Sequence, residues 1–243
     1  MNEKPQPAQN AGSAIYTPFF LAFIYDILVI WFSNSYVWKC PTPTSLLPLF
    51  VASLGKRHLD VGVGSGYYPS KALSLSTSPV EEITLLDLNP TALKASRRRI
   101  LQAVSTTHDA SDALTTINTV VADAAQRLPL PRGSKFDSIS LFYLLHCMPG
   151  PAKQKTKVFD VLRPHLAEDG VVVGATILPL RERMNWLASW ITGTYNRKGV
   201  FDNEGDEVEV FESGLRRNFA HVDVWTVGMV MLWRARKARP DLG

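Results

Sequence analysis

A chain of 243 residues with a net charge of +4 is long enough to bury a full hydrophobic core without disulfides or structural metal. Its 46% of hydrophobic residues is ordinary for a globular protein. The net positive charge is mild, and no basic run is interleaved with aromatic residues. Both observations argue against a nucleic-acid partner. The distant Cys40 and Cys147 match no zinc spacing and favour a thiol-reducing, cytoplasmic setting, while a disulfide between them stays open.

The N-terminal part differs in character from the rest. Residues 1–13 are polar and predict a flexible tail, and residues 14–57 predict a helical cap. Within the cap, residues 15–32 read IYTPFFLAFIYDILVIWF and approach the length of a membrane span. Asp26 near the centre and a proline in the first turn argue against a span. We therefore expect a buried or substrate-covering helix, with contact to a membrane surface as the alternative.

From His58 to the end, the sequence predicts one α/β domain, because short apolar runs alternate with longer amphipathic ones. Strands are predicted at 58–62, 83–88, 117–122, 136–142, 170–178, 220–225 and 226–235. Helices are predicted at 67–76, at 90–104 with Asn89 as N-cap, and at 151–167.

Two features of this pattern concern the edge of the sheet and its cover. The last two predicted strands follow each other without a gap, which predicts an antiparallel edge hairpin on an otherwise parallel sheet. The stretch at about 179–219 is too long for one helix and predicts a cap over the ligand crevice. In open α/β sheets that crevice lies at the carboxyl ends of the strands.

The first predicted strand runs into a glycine loop, LDVGVGSG, which contains Asp60, Gly62, Gly64 and Gly66. Alternate glycines suit backbone that turns tightly or closely approaches a ligand. The spacing is G-x-G-x-G instead of the dinucleotide pattern G-x-G-x-x-G. A carboxylate just ahead of the glycines suits a cationic ammonium or sulfonium group better than a pyrophosphate.

Two more acids end the next two predicted strands. Asp87 closes ITLLD, where a carboxylate can accept hydrogen bonds from ribose hydroxyls, and Leu88 beside it can pack on an adenine face. Asp123, followed by Ala124, comes after the third strand and is placed to accept the adenine amino group. Together the three acids predict a site for a cationic adenosine derivative.

These motifs resemble those of the class I S-adenosylmethionine-dependent methyltransferases. The pattern D-x-G-x-G-x-G, the two later acids, and the stretches FDSISLFYLLHCMPG and LAEDGVVVGATIL carry the resemblance over residues 58–235. It implies a Rossmann-like fold with a seven-stranded, mostly parallel sheet, and S-adenosylmethionine as cofactor. The segments YTPFFLAFIYD, WKCPT and YLLHCMPG are further similar to a small bacterial and fungal group whose members include O-methyltransferases of hydroxy-α-pyrone polyketides.

Candidate residues for the acceptor side follow the fourth strand or lie in the N-terminal cap. His146 is a candidate general base, with a hydrogen bond to a backbone carbonyl as the alternative. Tyr25 is a candidate to wall the substrate pocket, and Asp26 is a candidate to face polar groups of the ligand or the sulfonium side. The alternative is a core helix in which a backbone group or an arginine satisfies Asp26. Phe142 is a candidate contact for the cofactor. An already ionised enol would need no base.

The expected activity is methyl transfer to a hydroxyl of a small apolar molecule of polyketide type. The stretch SLFYLLHC has no acidic cluster, which predicts a metal-independent enzyme, and it lacks the proline pair typical of nucleobase amine methyltransferases. Transfer to carbon or nitrogen is one alternative. The other is an isomerase or cyclase that binds S-adenosylmethionine without transferring its methyl group. Trp186, Trp190, Tyr195 and Phe201 are expected to form a flat, apolar lid.

Overall fold

A computed structural model of the chain describes residues 26–76, 78–105 and 116–240. The predicted tail, residues 1–13, and the candidate Tyr25 lie outside these ranges. Asp26 is the first residue of the helical segment Asp26–Val37. No helix of the described ranges combines the length and the apolar character that crossing a membrane requires.

The centre of the fold is one sheet with the strand order β3-β2-β1-β4-β5-β7-β6. Strand β7 runs antiparallel to β5 and to β6, and all the other neighbouring pairs are parallel. The predicted seven-stranded sheet with an antiparallel edge is therefore confirmed. The strands are β1 Arg57–Val61, β2 Glu82–Asp87, β3 Thr116–Val121, β4 Phe136–Phe142, β5 Leu166–Ile177, β6 Phe219–Val227 and β7 Val230–Ala238.

Helices cover both faces of the sheet. They are α1 Leu47–Ser53, α2 Tyr67–Leu75, α3 Pro90–Ser105, α4 Ala152–Lys155, α5 Lys157–Leu162, α6 Trp186–Arg197 and α7 Val208–Asn218. Because successive residues of a strand face opposite sides, Leu232 and Trp233 of β7 belong to different apolar clusters. Trp233 packs with the cluster under α5 and α7, and Leu232 packs with the one under α1 and α2.

Local signals explain several helix ends. Asn89 caps α3 as predicted, since its Oδ1 accepts a hydrogen bond of 2.9 Å from the Thr91 amide. The helical segment Thr42–Leu46 leads directly into α1. Helix α1 then packs against α2 and β5.

Two predicted boundaries were wrong. The break between the last strands lies at Gly228 and Met229 instead of between residues 225 and 226, because Gly228 has a φ of 56° and makes the turn. The helix predicted at 151–167 is divided at Thr156, and a short 3-10 turn, Arg163–His165, ends it before β5 begins at Leu166. Pro164 in that turn cannot donate to a continuing helix.

The stretch from 179 to 219 holds two helices, in line with its length. Helix α7 packs against α4, α5 and β6 and so forms part of the layer on one face of the sheet. Helix α6 begins a few residues after the carboxyl end of β5. That this stretch covers the ligand crevice stays a prediction.

Candidate active site

The glycine loop, residues 62–66, joins β1 to α2 with Gly62, Gly64 and Gly66 at φ values of 73°, 53° and 69°. A Cβ built at Gly66 would lie 2.6 Å from the Cβ of Ser96, so α3 packs directly on this backbone. A Cβ at Gly64 would meet no atom closer than 4.0 Å. The loop is therefore closed by packing at Gly66 and open at Gly64, where a ligand can approach the backbone.

Asp60 is buried just before this loop. Its Oδ1 accepts a hydrogen bond of 2.6 Å from Ser140 Oγ of β4. Burial, with a smaller contribution from the negative charge of Asp87, raises the pKa of Asp60 to about 7, against the hydrogen bond from Ser140. Within the described ranges Asp60 has no cationic partner.

Asp87 ends β2 and contacts the same loop. Its Oδ2 accepts a hydrogen bond of 3.1 Å from the Gly64 amide, and its Oδ1 accepts one of 2.9 Å from the Asn89 amide. Burial raises the pKa of Asp87, against three backbone N–H groups that favour the charged form. Leu88, the next residue, has 67% of its surface exposed, which leaves an apolar side chain available beside the carboxylate.

Asp123 follows β3, and its Oδ1 accepts a hydrogen bond of 2.9 Å from the Ala125 amide. Ala124 between them is buried. Strands β1, β2 and β3 are parallel neighbours, so the structure brings Asp60, Asp87 and Asp123 to one edge of the sheet.

These residues fit S-adenosylmethionine, the cofactor that the resemblance implies. Two carboxylates, Asp60 and Asp87, raise each other's cost of ionisation, and a cationic ligand would relieve that cost. The open side of Gly64 leaves room for the ligand to approach the backbone, which a Cβ there would restrict.

The end of β4 is held by aromatic packing. The ring of Phe142 is buried against Phe50 and Tyr68, with centroids 5.2 and 4.9 Å away. The next residue, Tyr143, has a φ of 60°, which an L-residue adopts at a cost of about 1–3 kcal/mol. Its amide donates a hydrogen bond of 2.8 Å to the carbonyl of Ala175 on β5, and this bond holds the turn that follows β4 against the neighbouring strand.

His146 lies in that turn and is buried. Its Nδ1 lies 3.4 Å from the Ile177 amide, which donates to it, and 3.3 Å from Thr176 Oγ1. Burial, with a smaller contribution from the charge of Lys155, lowers the pKa of His146 to about 3. Because Nδ1 accepts from an amide, the ring proton of the neutral imidazole is on Nε2. The partner of His146 is thus a backbone amide, instead of the backbone carbonyl that was predicted as the alternative to a base.

Four rings line the region beyond β4 and β5, and we call Tyr143, His146, Tyr195 and Phe201 the aromatic wall. Phe201 contacts His146 and Tyr195 edge-on, with centroids 4.5 and 5.0 Å away, and Tyr143 contacts His146 at 5.6 Å. Trp186 and Trp190, in contrast, are 80% and 62% exposed on α6. Only part of the predicted aromatic lid is therefore packed.

Sequence reasoning missed a polar cluster next to this wall, formed by the buried side chains of Lys155, Asn203 and Asp206 and the backbone carbonyl of exposed Asp202. The ammonium of fully buried Lys155 is 2.7 Å from Asp206 Oδ2 and also donates to the carbonyl of Asp202. Asn203 Nδ2 donates to the carbonyl of Ile177 at 3.1 Å. Nothing in the local pattern of FDNEGDE, residues 201–207, indicates a partner on α4.

The buried polar residues of β1 and β4 were missed as well. His58, Ser138 and Ser140 are buried and hydrogen-bonded to one another. A signal was available, since HLDV and SISL each alternate polar and apolar residues within a predicted strand. Among the described residues no three His, Cys, Asp or Glu side chains form a cluster able to hold a metal ion. Cys40 and Cys147 are both free thiols.

Comparison with known proteins shows the family of the chain. A family model described as a methyltransferase domain matches residues 59–172. An O-methyltransferase of Aspergillus niger is 50% identical over 76% of this chain and 92% of its own length. The physcion biosynthesis cluster O-methyltransferase of Aspergillus chevalieri is 40% identical over 94% of this chain and 96% of its own.

Solved structures agree in fold. The N-methyltransferase NodS of Bradyrhizobium japonicum, in complex with S-adenosylhomocysteine, matches 79% of this chain and 83% of its own with a TM-score of 0.52 at 16% identity. Two longer solved structures are matched over 55% and 56% of their chains, so this chain spans about half their length. The chain belongs to a family of fungal O-methyltransferases that use S-adenosylmethionine as methyl donor.

Proposed function

We propose that this enzyme methylates a hydroxyl oxygen of a small, largely apolar molecule of polyketide type, such as a hydroxy-α-pyrone. The observation that carries the proposal is the aromatic wall beyond β4 and β5, in which His146 and Phe201 are buried and the rings of Tyr143 and Tyr195 stay partly exposed. A planar conjugated acceptor packs well on such rings. The name of the relative from Aspergillus chevalieri, which refers to physcion biosynthesis, supports a small-molecule acceptor.

For the cofactor, we assign one group to each part of the ligand. Asp60 and the glycine loop hold the ammonium end, and Asp87 holds the ribose hydroxyls. Leu88 covers one adenine face, and Asp123 with Ala124 receives the adenine amino group. Phe142 supports the site from beneath, because its ring is buried against Tyr68. When bound, S-adenosylmethionine supplies an electrophilic methyl group whose leaving thioether is neutral, so no acid is needed at that atom.

On the acceptor side, the chain contributes position more than proton transfer. Holding the acceptor oxygen in line with the methyl group and excluding water supplies most of what such a displacement needs. The Nδ1 of His146 is already used by the Ile177 amide, and its Nε2 carries a proton. We therefore assign His146 to fixing the turn after β4, with an acidic enol or phenol entering in its ionised form. The assignment of Tyr25 and Asp26 to the acceptor pocket stays a prediction from the sequence.

The test has a binding part and a product part. Calorimetric titration should show saturable binding of S-adenosylmethionine and S-adenosylhomocysteine, with NAD as the negative control. Asp87→Ala should weaken binding of S-adenosylhomocysteine roughly 10- to 100-fold, because it removes hydrogen bonds to a charged group. Asp223→Ala, an exposed acid on β6, is the matched control and should change nothing.

The product part uses 4-hydroxy-α-pyrones and phenols with S-adenosylmethionine, followed by mass spectrometry. Methyl ethers of the pyrones are the expected products. Saturable cofactor binding without any methyl ether from the panel would overturn the acceptor class. Unchanged affinity in Asp87→Ala would overturn the assignment of the ribose acid.

A further inference from the structure

Four buried polar side chains form a row on neighbouring strands. His58 and Asp60 lie at alternate positions of β1, and Ser138 and Ser140 lie at the paired positions of β4. Alternate residues of a strand face the same side, so all four side chains share one face of the sheet. The ring of Phe50 on α1 packs over His58, with centroids 5.3 Å apart.

The hydrogen bonds in this row have one consistent direction. Ser140 Oγ donates its single proton to Asp60 Oδ1 at 2.6 Å, so toward His58 it can only accept. His58 Nε2, 3.0 Å from Ser140 Oγ, must therefore carry the ring proton. His58 Nδ1 then accepts from Ser138 Oγ at 2.6 Å, and Ser138 in turn accepts from the Gly55 amide at 2.8 Å.

The imidazole in the middle of the row is neutral. Burial lowers the pKa of His58 to about 3, so at neutral pH the ring has one donor and one acceptor nitrogen. Both nitrogens are used, and every bond from Gly55 onward donates toward Asp60. Hydrogen bonds aligned head to tail polarise one another, which strengthens the last one.

We infer that His58, acting through Ser140, is a positioning residue that holds the carboxylate of Asp60 as an acceptor for the ammonium group of the cofactor. The inference rests on the assignment of Asp60 proposed above. It adds that residues of β1 and β4, outside the glycine loop, determine how strongly Asp60 binds the amino-acid end of the cofactor.

The charges around Asp60 make this support necessary. Asp87, at the end of β2, is the charged group whose field acts on it, and that field favours the protonated form. His58 on β1 is neutral, and β4 presents the uncharged hydroxyl of Ser140. The hydrogen bond from Ser140 is thus what favours the ionised form that an ammonium group requires. An apolar pair at 58 and 140 would pack at lower cost, but it would leave Asp60 without a donor.

The test compares two ligands that differ at the amino-acid end. S-adenosylhomocysteine carries the ammonium group, and 5′-methylthioadenosine lacks it but keeps the ribose and adenine. Dissociation constants are measured by calorimetry between about pH 5.5 and 9. For the wild type, binding of S-adenosylhomocysteine should weaken as the pH falls through about 7, where Asp60 becomes protonated. Asp87 acts on both ligands, so the difference between them isolates Asp60.

Ser140→Ala should weaken binding of S-adenosylhomocysteine at neutral pH about tenfold, because a hydrogen bond to a charged group is lost. The midpoint of its pH dependence should move upward by about one pH unit, since the lost bond favoured the ionised form. Binding of 5′-methylthioadenosine should change less than about twofold, a difference well below that of one hydrogen bond to a charge.

Two variants of His58 separate positioning from packing. His58→Gln keeps an N–H donor toward Ser140 and should retain the wild-type midpoint, whereas His58→Leu removes it and should shift the midpoint upward, by less than Ser140→Ala. Ser138→Ala, at the far end of the row, should shift it least. Circular dichroism melts confirm that each variant is folded before binding is compared.

The outcomes keep the two proposals apart. If neither ligand binds the wild type, the cofactor assignment fails. If both bind, but Ser140→Ala leaves the affinity and midpoint for S-adenosylhomocysteine unchanged, the positioning role is wrong. Equal weakening of both ligands in Ser140→Ala or His58→Leu would also overturn it, because a general disturbance of the site would then explain the loss.

Discussion

Around the glycine loop, polar groups keep hydrogen-bonding capacity unused, whereas next to the aromatic wall they satisfy one another. The negative charge of Asp87 acts on Asp60, and neither carboxylate has a cationic partner in the described ranges. Lys155 and Asp206, in contrast, form a buried ion pair, and the Lys155 ammonium also donates to a carbonyl. Unpaired carboxylates raise the free energy of the empty site, and paired ones set a rigid shape. A cationic ligand would therefore stabilise the region around the glycine loop, whereas the buried ion pair keeps the aromatic wall in place without a ligand.

The ion pair provides the largest expected effect. Lys155→Met should destabilise the fold by about 3–5 kcal/mol, because it leaves Asp206 buried without its counter-charge. The double variant Lys155→Met/Asp206→Leu should recover most of that loss, since no unpaired charge remains. Urea unfolding followed by fluorescence measures both.

The exposed pair of Arg216 and Glu212 on α7 is the control for this prediction. Arg216→Met should cost less than about 1 kcal/mol, because surface ion pairs contribute little. A cost for Lys155→Met as small as that of Arg216→Met would show that the buried pair does not hold the wall. The contrast between the two regions would then lose its physical basis.

The two regions also differ in how far the sequence predicts them. The glycine loop and the acids after β1, β2 and β3 follow from local spacing, because a parallel sheet brings strand ends to one edge whatever lies between them. The partners of Lys155 and Asn203 lie about 25 to 50 residues away, and no local pattern specifies such pairs. The turn at Gly228 was missed because residues 226–235 form one largely apolar run. No polar turn residues flank the glycine in that run, so the sequence does not mark a break between two strands.

The glycine loop offers a second, smaller effect. Gly66→Ala should cost about 2–4 kcal/mol of folding free energy, because it combines a positive φ with a Cβ only 2.6 Å from that of Ser96. Gly64→Ala should cost about 1–2 kcal/mol, since only the backbone strain applies there. Thermal melts of the two variants make the comparison.

Ligand binding should reverse this order. The methyl group of Gly64→Ala points into open space and should weaken binding of S-adenosylhomocysteine more than the stability loss of this variant suggests. Equal stability losses in the two variants, together with unchanged affinity in Gly64→Ala, would place the ligand away from this loop. The distinction between a packed end and an open end would then be wrong.

The smallest effect concerns His146. Asn places its side-chain oxygen near the position of Nδ1, so His146→Asn should keep the acceptor for the Ile177 amide. We expect its kcat on a 4-hydroxy-α-pyrone to stay within about threefold of the wild type, because general base catalysis, usually worth about 10²–10⁴, is not required for an ionised acceptor. His146→Leu leaves that amide unpaired and should lose about 1–3 kcal/mol of stability.

A general base would behave differently in the same two variants. Both would lose kcat by about 10²-fold or more, and a rise in pH that ionises the acceptor would restore it. That result would return His146 to catalysis and would require its ring proton to lie on Nδ1, so that Nε2 is free to accept the proton of the acceptor hydroxyl. Equal activity of His146→Asn and wild type across the pH range would instead assign His146 to the rigid region, where its neutral ring satisfies a strand amide and shapes the wall.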